Sequence, residues 1–290
     1  MNSTGRQQSV DAPLTRSATF LVLAAEPGQA ALDTIRSTLS GVEGLTKNVA
    51  IRDLNSQFTC TVGIGSGIWD SLTRLPRPTE LRPLPVLQGA VHATVSTPGD
   101  LLFHIRSNRR DLCFEFERQL LNQLGKSVRV VDATVGFRYF DTRDLLGRSQ
   151  WQPRRQLFMV QKYVHNSMHG DPSRPRTRAV IGRTKIDNIE LDDAESGQRS
   201  HKTLTTIEDE NGKEHGIVRD NMPFGSPASG EYGTYFIGYS KQLWVMERML
   251  ERMFIGHPPG KHDRILDFST PVTGSTFFAP SVEVLAGLDD

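Results

Sequence analysis

The sequence predicts an α+β fold of two ferredoxin-like units, in which antiparallel sheets carry helices on one face. Two observations predict it: β-prone apolar runs alternate with amphipathic helical runs, and the order strand–helix–strand–strand–helix–strand occurs in both halves of the chain. The 290 residues are enough for two units of ordinary size. We expect a boundary near Gly147, with a flexible tail over residues 1–15 and units over 16–147 and 148–290.

The first half contains four predicted strands and two predicted helices. The helices are predicted at 28–40 and 111–124, where apolar residues recur at helical spacing. Between the second and third strands, the proline-rich stretch 76–89 predicts a covering loop. The strands share β-prone apolar residues and are predicted at 19–25, 58–65, 99–105 and 128–140.

The second half repeats this order of elements. Its clearest helix is predicted over 241–254, where five apolar side chains form one face at helical spacing. These side chains are Leu243, Met246, Met249, Leu250 and Met253. Strands are predicted at 156–165, 233–240 and 275–281.

Composition and charge exclude several classes of protein. Charged residues make up 23% of the chain and nearly cancel to a formal net charge of +1, which gives no electrostatic footprint for nucleic acid or an anionic membrane. The two cysteines, Cys60 and Cys113, are too few for a disulfide framework or a cysteine-based metal site. The N-terminus lacks the apolar core of a signal peptide, and no apolar run is long enough to span a membrane. We therefore expect a cytoplasmic protein.

The eight histidines supply most of the candidate chemistry. His165 and His169 are four residues apart, but at a strand end and in a loop this spacing favours two surface imidazoles over a metal pair. His104 lies inside an apolar strand and is expected to be a packed core residue. His201 follows a polar stretch, and Arg219 comes 18 residues later. From spacing alone, an ordinary surface histidine is favoured over a metal ligand at position 201.

Other motifs carry little chemistry. His257 and His262 flank a loop with two prolines and have no cysteine or glutamate partner pattern nearby, so no metal site is predicted there. The glycine-rich GIGSG at 63–67 follows a predicted strand but does not complete a dinucleotide fingerprint. A tight turn is the favoured interpretation of this segment.

Long, ordered segments of the chain resemble the dye-decolourising-type (Dyp-type) peroxidase family. They include VSTPGDLLFHI, SHKTL, VRDNMPFG and DRILDFST, and they extend over 81–115, 135–147, 180–193, 200–204, 217–240 and 249–280. The resemblance implies two ferredoxin-like domains of the dimeric α/β-barrel type, with haem b (iron protoporphyrin IX) bound in the second. It also implies a haem peroxidase that uses hydrogen peroxide to oxidise organic donors, such as dyes and phenolics, through a ferryl intermediate.

The same resemblance assigns site residues. His201 of SHKTL matches the histidine that binds the haem iron, and neutral imidazole is a good axial ligand. Arg219 and Asn221 of VRDNMPFG match polar residues on the open face of the haem. Arg219 is expected to stabilise negative charge as the peroxide O–O bond breaks, and Asn221 to hold peroxide or water. Asp263 is the expected carboxylate partner of His201.

One motif of the family is missing from this chain. After DLLG at 144–147 the family continues with GFVDGTENP-like residues, whose Asp is thought to relay the peroxide proton, whereas this chain continues with RSQWQPRR. With no gap in the chain, Gln150 falls at the position of that Asp, and an amide does not titrate near neutral pH. Asp141 and Asp144 belong to the preceding family segment and are not replacements.

Three hypotheses about function remain open after this comparison of motifs. The first is a Dyp-type peroxidase whose activity is impaired or altered by the loss of the Asp. The second is a haem enzyme with a different reaction, such as a dehydration or a specialised oxidative coupling, and the third is a non-catalytic haem-binding protein. The expected partners are hydrogen peroxide, a small organic electron donor and further copies of the chain in a homo-oligomer. Because the chain stops at VLAGLDD, no C-terminal tail for docking in a protein shell is expected.

Overall fold

The structure, a computed structural model, describes residues 5–139, 156–166, 180, 191–194, 196–226 and 228–290. In these residues the α-helices are α1 (Gln29–Ser40), α2 (Val42–Ala50), α3 (Trp69–Thr73), α4 (Arg110–Leu124), α5 (His201–Thr205), α6 (Leu243–Phe254) and α7 (Val282–Ala286). The strands of the first half are β1 (Ser17–Ala25), β2 (Thr59–Gly65), β3 (Leu101–Ser107) and β4 (Val128–Phe137). Those of the second half are β5 (Leu157–His165), β6 (Ile207–Glu208), β7 (Glu214–His215), β8 (Val218–Arg219), β9 (Met222–Ser226), β10 (Glu231–Ser240), β11 (Ser269–Pro271) and β12 (Ser275–Phe278).

Four antiparallel strands of each half form one continuous sheet, and the short strands β8 and β11 of the second half pair with β10 and β5. The order is β2-β3-β1-β4 in the first half and β12-β5-β10-β9 in the second, so the two halves have the same ferredoxin-like topology. The halves join through β12 on β2 and β4 on β9. Because these two junctions connect both ends of the two four-stranded units, the eight strands close into a barrel.

Alternation of side chains separates the interior of the barrel from the layer under the helices. In β1, Ala18, Phe20 and Val22 belong to the buried cluster inside the barrel, whereas Leu21 and Leu23 belong to the cluster packed against the helices. The helices pack on the outside because their apolar faces complete that second cluster. The predicted α+β class is confirmed, and the helix predicted at 241–254 is observed as α6.

The N-terminal segment differs from the sequence-based expectation. The sequence predicts a flexible tail up to residue 15, but Gln8 and Val10 are buried. The Gln8 side chain donates to the carbonyl oxygens of Val62 and Pro280 at 2.8 and 2.9 Å, so this segment contacts both halves. The polar composition of residues 1–15 predicts a tail. The long-range hydrogen bonds, however, satisfy the Gln8 side-chain amide in its buried position. The boundary expected near Gly147 lies outside the described residues and stays a prediction.

No helix in the described part of the chain combines the length and the hydropathy needed to cross a bilayer. Cys60 and Cys113 are both free thiols. His104 is fully buried on β3, which confirms the expected core histidine. It stacks on Phe20 at a centroid distance of 4.8 Å, and its Nδ1 lies 2.8 Å from the Tyr239 hydroxyl.

Candidate active site

A cavity lies on the outer face of the second-half sheet, between β5, β10 and helix α6. It contains about 680 Å³ of space free of protein atoms, which includes open solvent at its mouth. Four methionines contribute to its apolar wall: Met159, Met246, Met249 and Met253. Three of them lie on the predicted apolar face of α6, so this face lines a cavity as well as packing in the core.

His201 reaches this cavity from the first residue of α5. Ser200 caps that helix, since its hydroxyl accepts a hydrogen bond from the backbone amide of Thr203. Asp193 holds the cap in place, because one carboxylate oxygen accepts from the Ser200 amide and from the Thr203 hydroxyl, both at 2.9 Å. The position of the imidazole is therefore fixed by a capped helical turn rather than by a free loop.

Asp263 contacts His201 from behind. The distance between His201 Nδ1 and Asp263 Oδ2 is 2.6 Å, and the carboxylate is fully buried. The other oxygen, Oδ1, accepts from the amide of Ile265 at 3.0 Å, and the Asp263 amide donates to the Met253 carbonyl at 2.7 Å. A neutral His201 that donates from Nδ1 keeps a lone pair on Nε2, which forms no hydrogen bond among the described residues. This nitrogen has the properties of a metal ligand.

Arg219 and Asn221 line the same cavity. Arg219 lies on β8 and Asn221 lies just before β9, and both strands pair with β10. The two pairings share one register, since Arg219 lies opposite Gly238 and Met222 lies opposite Tyr235. In one register, alternate residues share a face, so Arg219 and Asn221 are placed together on the cavity side. The Arg219 guanidinium lies 3.8 Å from the Met249 sulfur.

Asn221 is oriented by the neighbouring strand. Its side-chain oxygen accepts a hydrogen bond from the Ile237 amide at 3.1 Å, in the place of a regular ladder bond. Asp220, between Arg219 and Asn221, points the opposite way and is buried. There it pairs with Arg106 at 3.3 Å and with Arg138, so an ion-pair cluster inside the barrel anchors the strand that carries the cavity residues.

Strand β5 adds polar residues that the sequence-based interpretation missed. Gln161, Tyr163 and His165 alternate along β5 and all line the cavity. The Tyr163 hydroxyl donates to the Gln161 side-chain oxygen at 2.9 Å, and the Gln161 side-chain nitrogen has no hydrogen-bond partner in the part of the chain that the structure describes. The alternation in QKYVH is the signal that could have placed these side chains on one face.

His165 is not the surface imidazole that the sequence predicts. Its Nδ1 lies 2.7 Å from the Ser269 hydroxyl and its Nε2 lies 3.1 Å from the Thr234 hydroxyl. Burial lowers the pKa of His165, so the imidazole is neutral near pH 7. His169, its partner in the four-residue spacing, lies outside the described residues.

Four of the residues assigned from the sequence therefore meet at one place. His201, Arg219 and Asn221 line the cavity, and Asp263 holds His201. Gln150, Asp141 and Asp144 lie outside the described residues. The arrangement offers one coordinating imidazole, one cationic guanidinium and one amide around an apolar space, which is suited to a flat apolar cofactor with a metal ion.

Comparisons with known proteins agree with this arrangement. The family description "Dyp-type peroxidase, N-terminal" matches residues 7–138, and "Dyp-type peroxidase, C-terminal" matches residues 146–284. Among curated relatives, a dye-decolorizing peroxidase of Mycobacterium tuberculosis (strain ATCC 25618 / H37Rv) is 45% identical over 96% of this chain and 89% of its own. A dye-decolorizing peroxidase of Brevibacterium linens is 44% identical over 96% of this chain and 81% of its own.

Solved structures give the same result. DypB from Rhodococcus jostii RHA1 is 44% identical, with a TM-score of 0.90 and 98% of each chain covered. A variant of that protein in complex with heme also has a TM-score of 0.90, at 44% identity, over 95% of this chain and 96% of the other. An encapsulated DyP-type peroxidase from Mycobacterium smegmatis is 42% identical, with a TM-score of 0.91 and 98% of each chain covered.

Proposed function

The chain belongs to the Dyp-type peroxidase family, and on this premise we propose that His201 holds the iron of its haem while Arg219 and Asn221 bind hydrogen peroxide. As a member of this family the protein is a haem peroxidase, and its cofactor is haem. The proposal concerns which residues of this chain do the work and how well they do it.

One observation supports the proposal most strongly. The fully buried Asp263 engages Nδ1 of His201 at 2.6 Å, and the same histidine lines the cavity that Arg219 and Asn221 also line. A histidine that binds a metal usually donates its other ring N–H to a carboxylate or carbonyl, which fixes the tautomer and raises its basicity. The apolar wall suits a porphyrin, so the residues present fit the group.

Bound haem supplies the redox chemistry that takes electrons from a donor and passes them to peroxide. The chain supplies the polar groups around the peroxide. The Arg219 guanidinium is always protonated, so it stabilises the negative charge that develops on the leaving oxygen and does not act as a base. The Asn221 amide, oriented by its bond from the Ile237 amide, is suited to hold peroxide or water.

We propose that the missing Asp slows the enzyme. No carboxylate occupies the motif position, where Gln150 stands, and a general base typically contributes about 10²–10⁴ in rate. The rate of proton removal from peroxide then depends on solvent. The same loss is the observation that favours the two alternatives, a haem enzyme with another reaction and a non-catalytic haem-binding protein.

The test of haem ligation is spectroscopic. Haem-loaded wild-type protein is expected to show a Soret band, which His201→Ala abolishes or shifts. His215→Ala is the matched control, because His215 pairs with Asp209 at 2.8 Å outside the cavity. A wild-type Soret band in His201→Ala would refute the assignment of the ligand.

The test of impairment restores the acid. Gln150→Asp is expected to raise the rate of reaction with hydrogen peroxide, by up to about 10²–10⁴, with Gln152→Asp as the control for added charge. Stopped-flow spectra after mixing with peroxide measure the rate. Equal rates in the two variants would contradict the proposal, and a wild-type haem spectrum that peroxide leaves unchanged would favour the two alternatives.

Family membership also motivates proposals about partners. We infer that the donor is a small organic molecule such as a dye or phenolic, and that the protein acts in the cytoplasm as a homo-oligomer. Steady-state assays with a panel of donors test the proposed donor class. Light scattering coupled to size-exclusion chromatography tests the proposed homo-oligomer. A monomer at all concentrations would refute the oligomer.

A further inference from the structure

A second group of histidines lies outside the cavity described above. His92, from the loop before β3, meets His262 and Asp267, from the segment after α6. The Nε2 atoms of His92 and His262 lie 3.3 and 3.0 Å from the same carboxylate oxygen, Asp267 Oδ1. The three atoms all lie within 4.8 Å of one another. Two imidazole nitrogens and one carboxylate oxygen thus converge on one point between the two halves of the chain.

The cluster is sheltered but accessible to an ion. The side chains of His92, His262 and Asp267 are 24%, 16% and 25% exposed. Burial raises the pKa of Asp267, but hydrogen bonds from His262, Arg264 and His92 outweigh this effect, so the pKa is lowered and the group is a carboxylate. Arg264 contacts the other oxygen, Oδ2, which orients the carboxylate and leaves Oδ1 toward the two imidazoles.

The spacing of these atoms matches that of a small tetrahedral ion. Zinc–nitrogen bonds of about 2.0–2.1 Å and zinc–oxygen bonds of about 2.0–2.2 Å put neighbouring ligand atoms about 3.3 Å apart. The two observed nitrogen–oxygen distances, 3.3 and 3.0 Å, are close to this value. The distance between the ligand nitrogens of the two imidazoles is at most 4.8 Å.

We propose that His92, His262 and Asp267 bind a divalent transition-metal cation of the zinc type, with water as the fourth ligand. The ligand set excludes magnesium and calcium, since those ions prefer sites made of oxygen atoms alone. The nearby Arg264 does not prevent binding. Its guanidinium lies on the far carboxylate oxygen, as metal-bound carboxylates are themselves usually hydrogen-bonded, and its side chain is 42% exposed, so solvent screens its charge.

A cation at this site would tie the two halves together next to the haem ligand. His92 comes from the first half, whereas His262 directly precedes Asp263, the partner of His201. The His262 carbonyl also accepts a hydrogen bond at 3.0 Å from Gln198, three residues before His201. The expected role is structural, because the cation stabilises the folded state in which these segments meet. This inference does not depend on the peroxidase mechanism.

The experiment measures zinc in the haem-loaded, full-length protein. After chelator treatment and dialysis against micromolar Zn²⁺, wild-type protein is expected to retain one equivalent of zinc per chain by mass spectrometry, in addition to haem iron. Asp267→Asn and His262→Gln are expected to weaken zinc binding by at least about 10-fold. His257→Gln is the matched control, since His257 is an exposed histidine of the same loop outside the cluster.

Thermal unfolding gives an independent measurement. Zn²⁺ at a hundred-fold excess over its wild-type dissociation constant is expected to raise the Tm of wild-type protein by about 5 °C and that of His92→Gln by at most about half as much. If the three residues only hydrogen-bond to one another, Zn²⁺ does not change the wild-type Tm and no zinc is retained, which overturns the proposal. Equal zinc retention by wild type and His262→Gln also overturns it. Should a variant fail to fold, zinc titration of the wild type decides between these outcomes.

Discussion

Removing the charge of Asp263 tests how the chain sets the properties of its haem. Asp263→Asn keeps an oxygen that accepts from His201 Nδ1, at the position where Asp263 Oδ2 now lies 2.6 Å away. Its amide nitrogen takes the place of Oδ1, which now accepts from the Ile265 amide at 3.0 Å, so this backbone hydrogen bond is lost. The substitution therefore removes the charge behind the imidazole together with one backbone hydrogen bond of the segment after Asp263.

The size of the effect follows from the burial of this pair. The carboxylate is fully buried and the His201 side chain is 12% exposed, so solvent screens their interaction weakly. Loss of such an outer partner typically costs about 10–100-fold in metal affinity, or about 1.4–2.7 kcal/mol. Because Asn keeps a hydrogen bond, we expect the lower end, about 10-fold in affinity for ferric haem. If the affinity for ferrous haem is unaffected, a 10-fold loss of affinity for ferric haem raises the ferric/ferrous reduction potential by about 60 mV.

The assay combines a haem titration of the apoprotein with a spectroelectrochemical titration of the loaded protein. Asp209→Asn is the control, because Asp209 forms a similar pair with His215 at 2.8 Å but lies outside the cavity. The reasoning is refuted if Asp263→Asn, folded by circular dichroism, keeps the wild-type potential and haem affinity. It is also refuted if the Asp209 variant shows the same shift.

Three further predictions concern the opposite side of the cavity and the interior of the barrel. Arg219→Ala is expected to keep the Soret band but to slow the reaction with peroxide by about 10²–10³ in stopped-flow measurements, and a rate within twofold of wild type would contradict its role. Asp220→Asn leaves the buried Arg106 and Arg138 without their carboxylate, so urea unfolding is expected to show a loss of about 3–5 kcal/mol, against less than about 1 kcal/mol for Asp209→Asn. The pKa of His104 lies well below its ordinary value, mainly because the side chain is buried and also because Arg106 and Arg138 carry positive charge nearby. Below about pH 6.5 the unfolded chain therefore binds one more proton than the folded one, and wild-type stability falls with decreasing pH until the folded-state pKa is reached. His104→Gln is expected to remove up to about 1.4 kcal/mol per pH unit from this slope, and an unchanged slope would contradict the buried neutral histidine.

Local pattern was sufficient to predict most elements of the fold. Helix α6 and strand β5 follow from side-chain spacing, because burial of one face requires a period near four residues in a helix and of two in a strand. The spacing of Arg219 and Asn221, two residues apart, is the same kind of signal, since it places both side chains on one face of a strand. The contact between His201 and Asp263 was predicted only through the resemblance to the family, because 62 residues separate the two in the chain.

Three features could not be predicted from local pattern, since each depends on a contact between distant segments. Gln8 has the composition of a tail residue, yet its amide is bonded to both halves. His165 has the spacing of a surface residue, yet β11 and β10 cover it with the Ser269 and Thr234 hydroxyls. Of the two partners of His262 in the cluster, only Asp267 is nearby in the sequence, and His92 reaches it from the first half of the chain.

The sequence by itself determined the two repeated α+β units, the apolar faces that they bury and the family to which the chain belongs. It also predicts that an amide stands where the family has an acid, since residue identity decides what can carry a proton. Only the tertiary structure decided that β12 on β2 and β4 on β9 close the two sheets into one barrel. It also decided that β5 supplies polar groups to the cavity and that His92 meets the distant His262 and Asp267 close to Asp263. The physical reason is that hydrophobic pattern fixes which face of a segment is buried, whereas the neighbour that covers it is selected by packing of the whole chain.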